Sequence, residues 1–235
     1  MTPAEIRDKL ARHSDEKSAE HVKRFFKTGP GEYGEGDVFL GVKVPVIRKT
    51  VRKYGKNLSL ENLEELLLSE IHELRYFALV EMVNRFSHKN TARKGRKAIF
   101  DLYMKNRDRV NNWDLVDVSA PRIAGAWLFA NDRSILWELA RSEGLWNRRI
   151  AVVATLYFIK NHEFDPTLSI ARILIDDKED LIHKAVGWML REVGKINFAV
   201  QEKFMQATYR SMHRTMLRYA IEKYPEPLRQ AYLHG

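Results

Sequence analysis

Apolar residues recur at intervals of three and four along most of the chain, the spacing that lines one face of an α-helix. SLENLEELLLSE, HELRYFALVEMVNRF, TARKGRKAIFDLYMKN, WDLVDVSAPRIAGAWLF, DRSILWELARSE, WNRRIAVVATLYFIKN, DPTLSIARILIDD, LIHKAVGWMLREVGK, FAVQEKFMQATYRSM and HRTMLRYAIEKY all carry it. Thr2-Pro3-Ala4-Glu5 adds a capping box with proline in the first turn, so a helix starts almost at the N-terminus. The connectors are short and contain Asn, Asp, Gly or Pro, as turns between helices do. No stretch alternates with the period of two that a half-buried strand requires, and the predicted class is all-α.

The helices pair, and the second members resemble one another. HELRYFALVEM, NRRIAVVATLYF, IHKAVGWMLRE and HRTMLRYAIEK each open on polar or basic residues and continue with small and apolar ones. Arg149, Lys184 and Arg214 recur at about 30 to 40 residues, with Arg75 about two such periods before Arg149, a spacing typical of HEAT-like or armadillo helical pairs. The architecture expected is a curved α-solenoid forming one repeat domain over residues 1–235, with N-terminal helices at 2–27 and a Gly-rich loop at 28–45. An irregular helical bundle is the alternative. Within the loop, Gly29 to Gly34 matches G-x-G-x-x-G, yet a basic helix precedes it, an extended VFLGVKVP is expected to follow, and Glu32, Glu35 and Asp37 would repel phosphate. A dinucleotide site needs a strand before the loop and a helix after it, so that reading fails. A flexible loop that folds over a ligand fits better.

Charge narrows the partner. The 235 residues hold 40 Lys+Arg against 31 Asp+Glu, a formal net charge of +9, which suits a densely negative surface such as nucleic acid. Cysteine is absent, so disulfides and thiolate chemistry are excluded, in keeping with a reducing compartment. No apolar run approaches the roughly 20 residues of a membrane span, and the N-terminus lacks a signal pattern. A soluble, cytoplasmic protein is expected. The 8 histidines are scattered without zinc-protease spacing, and no metal is expected.

Cations at a helix N-terminus oppose the helix dipole. His72 and Arg75, Arg148 and Arg149, His183 and Lys184, and His213 and Arg214 all lie near such starts. Stacked in a solenoid they would form a stripe that phosphates turn to advantage, or else they are solvated residues with no common direction. On KAVGWMLREVGK the core stripe is Val186, Met189, Leu190 and Val193, while Lys184, Trp188, Arg191 and Lys195 share another face, setting Trp188 among cations where an indole can press on sugar or base. Trp127 and Trp137 read as core. In NNWDLVD, Trp113 and Asp117 are four residues apart and share a helical face. Asp114 is explained as a helix-start acid. Asp117 would repel a polyanion, which makes it a candidate for chemistry.

FFKTGPGEYGEGDVFLGVKVP, WDLVD, LWNRRIAV and IHKAVGWMLRE, in this order and spacing, resemble the AlkD-type DNA alkylation repair proteins, alkylpurine DNA glycosylases built from HEAT-like repeats. The resemblance covers nearly the whole chain. It implies that Trp113, Asp117, Arg149 and Trp188 surround the lesion-bearing nucleotide, Arg149 rather than Arg148 matching the family arginine. Phe25 stands where the family has a tyrosine and lacks its hydroxyl. The implied activity is hydrolysis of the N-glycosidic bond of N3- or N7-alkylated purines in duplex DNA without a base-flipping pocket. Asp117, Trp113 and Trp188 would be catalytic; Arg149, Arg148, Lys184, Arg191, His183, Arg214, Arg75 and Phe25 would contact DNA. The partner is double-stranded DNA carrying alkylated bases, bound by a monomer with no cofactor, metal or membrane. The competing readings are a HEAT-repeat protein that recognises DNA backbone shape without chemistry and a protein-interaction solenoid.

Overall fold

The computed structural model describes residues 1–234, and among them every regular element is helical, with one isolated bridge between Val38 and Ile71. The fold is all-α. The chain divides into two compact units, Met1–Ile123 and Ala124–Gly235. The first contains α1 (Pro3–Ala11), α2 (Glu16–Phe25), α3 (Val44–Tyr54), α4 (Leu60–Leu67), α5 (His72–Ser87), α6 (Arg93–Lys105) and α7 (Trp113–Ser119). The second contains α8 (Ala126–Phe129), α9 (Ser134–Ala140), α10 (Leu145–Ala154), α11 (Leu156–Lys160), α12 (Asp165–Ile173), α13 (Asp180–Ile196), α14 (Phe198–Thr208), α15 (Arg214–Ala220) and α16 (Glu226–His234).

Local chemistry explains the boundaries. Thr2 and Glu5 cap α1 reciprocally, Asp15 caps α2 through the Ser18 amide at 2.6 Å, and Ser59 with Asn62 repeats the device on α4. Pro121 has no N–H to return to the carbonyl of Asp117, four residues back, and the chain after α7 widens into a π turn over Pro121–Gly125. Each unit is organised around one long helix. In the first, α5 packs against α3, α4, α6 and α7, and its residues 72–83 are all buried. In the second, α13 packs against α10, α11, α12, α14 and α15. Val186, Met189, Leu190 and Val193 of α13 are buried, while Trp188 and Arg191 are half-buried and Lys195 is exposed. Trp127 and Trp137 are also half-buried rather than fully enclosed, the Trp137 indole donating to Ser169 Oγ at 2.9 Å.

Two parts differ from the sequence reading. VFLGVKVP was expected to be extended, but its last two residues already form the first turn of α3, with Pro45 at a position that needs no amide partner. Residues 37–42 are firmly tied. Val38 exchanges backbone hydrogen bonds with Glu70 (3.2 Å) and His72 (2.9 Å), which satisfies the first amide of α5. The Glu73 carboxylate accepts from the amides of Leu40, Gly41 and Val42 at 2.8–3.2 Å. Gly41 has φ +77°, and a Cβ there would lie 2.2 Å from the Asp15 carbonyl oxygen, so the loop crosses the start of α2 at backbone contact that only glycine permits.

Candidate active site

The candidate residues divide between the units: Phe25, Arg75, Trp113 and Asp117 in the first, and Arg148, Arg149, His183, Lys184, Trp188, Arg191 and Arg214 in the second.

In the first unit α7 presents Trp113 in its opening turn and Asp117 one turn later, both half-buried. The Trp113 ring stacks on Phe26 at 5.2 Å and meets the edge of Phe25 at 5.7 Å. Phe25 itself is 60% exposed. Asp117 lies near the buried Tyr103 phenol, whose pKa is raised by burial and, secondarily, by the Asp117 charge.

Beneath Trp113 lies a buried charged network. His72 faces Asp37 Oδ2 through Nδ1 at 3.2 Å and Asp114 Oδ2 through Nε2 at 2.9 Å. Asp37 also accepts from Arg75 Nη2 at 2.6 Å and from Asn112 Nδ2 at 3.4 Å. Burial alone would push the His72 pKa down, but the Asp114 charge and the hydrogen bonds to Asp114 and Asp37 outweigh burial and the opposing Arg75, raising it to about 9. Burial acts to raise Asp37, yet its hydrogen bond to His72 and the Arg75 charge hold it below the ordinary aspartate value. The His72 ring stacks on Phe39 at 4.7 Å and lies 5.0 Å from Phe26. Beside the network is a cavity of about 450 Å³ walled by Val22, Phe26, Phe39, Val42 and Tyr76, with Asp114 and His72 also on its lining.

Arg75 was expected on a phosphate-facing stripe. Its side chain is instead 1% exposed, bound to Asp37 and donating Nη1 to the carbonyls of Ser69 and Glu70 at 2.9 Å each. Arg148 repeats that arrangement in the second unit: Nη1 donates to the carbonyls of Ser142 and Glu143, while Nε and Nη2 hold Asp177 at 2.6 and 3.3 Å. His183, also buried, reaches the Asp177 carbonyl with Nε2 at 2.5 Å and stacks on His213 at 4.1 Å. All three fold back on carbonyls five or six residues earlier and clamp the turn that enters their helix. The repeat therefore aligns Arg75 with Arg148 rather than with Arg149, each clamping the turn that enters its helix.

Of the other cations, Lys184 and Arg191 are half-buried and Arg214 is exposed, whereas Arg149 is buried. Lys184 pairs with Asp180 at 2.7 Å, Arg191 pairs with Glu222, and the exposed Arg214 donates Nη1 to the Leu233 carbonyl at 2.7 Å. Arg149 is 5% exposed and donates Nη1 to the Leu181 carbonyl at 2.6 Å. Trp188 donates Nε1 to Glu192 at 3.2 Å, between Lys184 and Lys195 on the outer face of α13.

The partners of His72 were not found from sequence. Asp37 read as a loop acid and Asp114 as a dipole acid; they lie 35 and 42 residues from His72, and nothing local links them. The one available signal was His72 and Arg75 sharing a face of α5, two cations that need a common anion if buried.

The sequence profile of the family described as DNA alkylation repair enzyme matches residues 6–224. The chain belongs to this family. Membership places the alkylation-repair chain's role in the repair of alkylated DNA. Among solved structures, one titled "Predicted DNA alkylation repair enzyme from Enterococcus faecalis" is similar with a TM-score of 0.69 and 18% identity, over 91% of this chain and 98% of that one. At that identity the likeness establishes a shared fold. No curated protein matches. Among the described residues of this family member no helix is long and apolar enough to cross a membrane.

Proposed function

We propose that this chain is a monofunctional DNA glycosylase that hydrolyses the N-glycosidic bond of N3- or N7-alkylated purines in duplex DNA, acting as a monomer without metal or cofactor and without drawing the base into an enclosed pocket. The observation that carries the reading is the pairing on α7 of a half-buried carboxylate, Asp117, with Trp113, whose indole meets the exposed ring of Phe25. An alkylated purine is already cationic and leaves without a general acid. Positive charge then develops on the deoxyribose, as in glycoside hydrolysis. A fixed carboxylate opposite that charge stabilises it and orients the incoming water, which gives Asp117 its role. Trp113 shapes the sugar's surroundings from the first unit. From the second unit, Trp188 offers an indole to sugar or base and Arg149 a cation to a phosphate, with Arg191, Lys184 and Arg214 as further contacts to the DNA backbone.

Incubation with duplex DNA carrying 7-methylguanine or 3-methyladenine is expected to release free base. Asp117→Asn should slow release by about two to three orders of magnitude, the scale of losing one transition-state electrostatic group, with DNA affinity retained. Wild-type protein that binds such DNA and releases nothing would overturn the enzyme reading.

Phe25 favours a second reading. Without the hydroxyl of the family tyrosine its exposed ring offers only contact, which suits a protein that recognises DNA backbone shape and performs no chemistry. That reading expects tight, salt-sensitive binding and no base release whichever residue stands at 117.

A further inference from the structure

The residues on either side of Trp113 are both fastened to the same buried histidine network. Asn112 accepts the Trp113 amide on its Oδ1 at 2.8 Å and directs Nδ2 at Asp37. Asp114 accepts the Leu115 amide at 2.8 Å on Oδ1 and faces His72 with Oδ2. The indole is tied in a second way, because Phe26 lies 5.2 Å from Trp113 and 5.0 Å from the His72 ring. The first turn of α7 thus rests on His72 through the Asp114 side chain, through the Asn112 side chain by way of Asp37, and through the Phe26 ring.

Carboxylate oxygens of Asp37 and Asp114 accept but do not donate, and each faces one ring nitrogen of His72. A neutral imidazole carries one N–H and satisfies one of them, leaving the other carboxylate against a lone pair. Only the imidazolium donates to both. With His72 charged, Arg75 and His72 balance Asp37 and Asp114; with it neutral, one negative charge is left buried without compensation. The remaining ionisable groups around it are few. Glu73, also on α5, is occupied by the amides of residues 40–42; Arg109, before α7, donates to the Leu68 and Ser69 carbonyls; Lys17 and His21 of α2 and Lys43 line the adjoining cavity.

We propose that His72 is a positioning residue for the candidate site: its imidazolium, held between Asp37 and Asp114, fixes the first turn of α7 and so sets the direction of Trp113 and the placement of Asp117. Loss of its proton frees one anchor of that turn, and Trp113 shifts with it. The catalytic consequence rests on the glycosylase reading. The structural coupling does not.

The test is a pH titration of the full-length protein followed by nuclear magnetic resonance, with the His72 imidazole and the Trp113 indole N–H assigned by comparison with His72→Gln and Trp113→Phe. The two signals are expected to move together with one midpoint near 9, and base release is expected to fall through the same midpoint. Asp114→Asn removes one counter-charge and should lower the shared midpoint by a unit or more, a displacement that a role in stability alone would not produce. A Trp113 signal that ignores the His72 titration, or a His72 midpoint near 6.5, overturns the proposal whether or not the protein excises bases. Joint movement of the two signals with no base release at any pH sustains the coupling and counts against the glycosylase reading instead. Should Asp114→Asn fail to fold, the paired wild-type titration decides alone.

Discussion

Asp37 collects His72, Arg75 and Asn112 around one carboxylate while its own side chain is only 4% exposed. Neutralising it strands Arg75, whose guanidinium is 1% exposed. Breaking one side of a buried ion pair costs about 3–5 kcal/mol, so Asp37→Asn should destabilise the first unit by that order, read as a lower urea midpoint at unchanged slope, whereas alanine at the exposed Asp101–Lys97 pair should cost about 0.5 kcal/mol or less. The network also gives stability a pH signature. His72 has a folded pKa of about 9 against an ordinary 6.5, so its contribution is complete below 6.5, declines as the pH rises, and is lost above 9. Thermal melts of wild type should therefore drop between pH 6.5 and 9.5, and His72→Gln should be less stable at pH 6.5 but flatter across that window.

At the scale of elements, the packing of α13 depends on a small residue as well as on large ones. Gly187 of α13 lies against α15 so closely that a Cβ would stand 2.5 Å from the Met216 carbonyl oxygen and 2.5 Å from Tyr219 Cβ. Alanine would gain about 1 kcal/mol of helix propensity but must push the two helices apart, and overpacking costs about 1–3 kcal/mol. Gly187→Ala should therefore lower the melting temperature of the second unit by more than the same change at half-buried Gly95 lowers that of the first, where an added Cβ would meet only the Thr91 side chain, at 3.2 Å. What the sequence showed of these elements depended on periodicity. The apolar spacing of α4 to α7 and of α9 to α15 was legible, because each buries a face with a regular repeat. α3 was not, because Val44-Pro45 looked like the end of an extended stretch, although Pro45 with Ile47 and Val51 at helical intervals marks a helix start. The clamp made by Arg75, Arg148 and His183 escaped for another reason: a basic residue at a helix start has the same sequence whether it turns back to the preceding carbonyls or outward to a phosphate. Only the acceptors, scattered over Asp37, Ser69, Ser142 and Asp177, distinguish the two.

For the whole molecule, the net charge of +9 overstates what is available to a polyanion, because charge and phosphate contact are different quantities. A cation spent on protein carbonyls and carboxylates in the folded state releases no counterion when DNA binds. Each phosphate neutralised contributes about 0.9 to the slope of log affinity against log salt on duplex DNA, so the slope counts engaged cations. Arg148 is half-buried against Asp177 and the carbonyls of Ser142 and Glu143, whereas Arg214 is exposed with one carbonyl partner. If the surface along α13 and α15 carries DNA, Arg214→Ala should reduce the magnitude of the slope by about 1 and weaken binding uniformly across sequences. Arg148→Met should leave the slope unchanged and act on stability, since it opens the turn before α10. Fluorescence anisotropy of a labelled duplex across a series of salt concentrations, read beside thermal melts of the same variants, separates the two effects. The opposite pattern, a flatter slope for Arg148→Met and none for Arg214→Ala, would place the DNA on the side of the clamps and return them to the phosphate stripe.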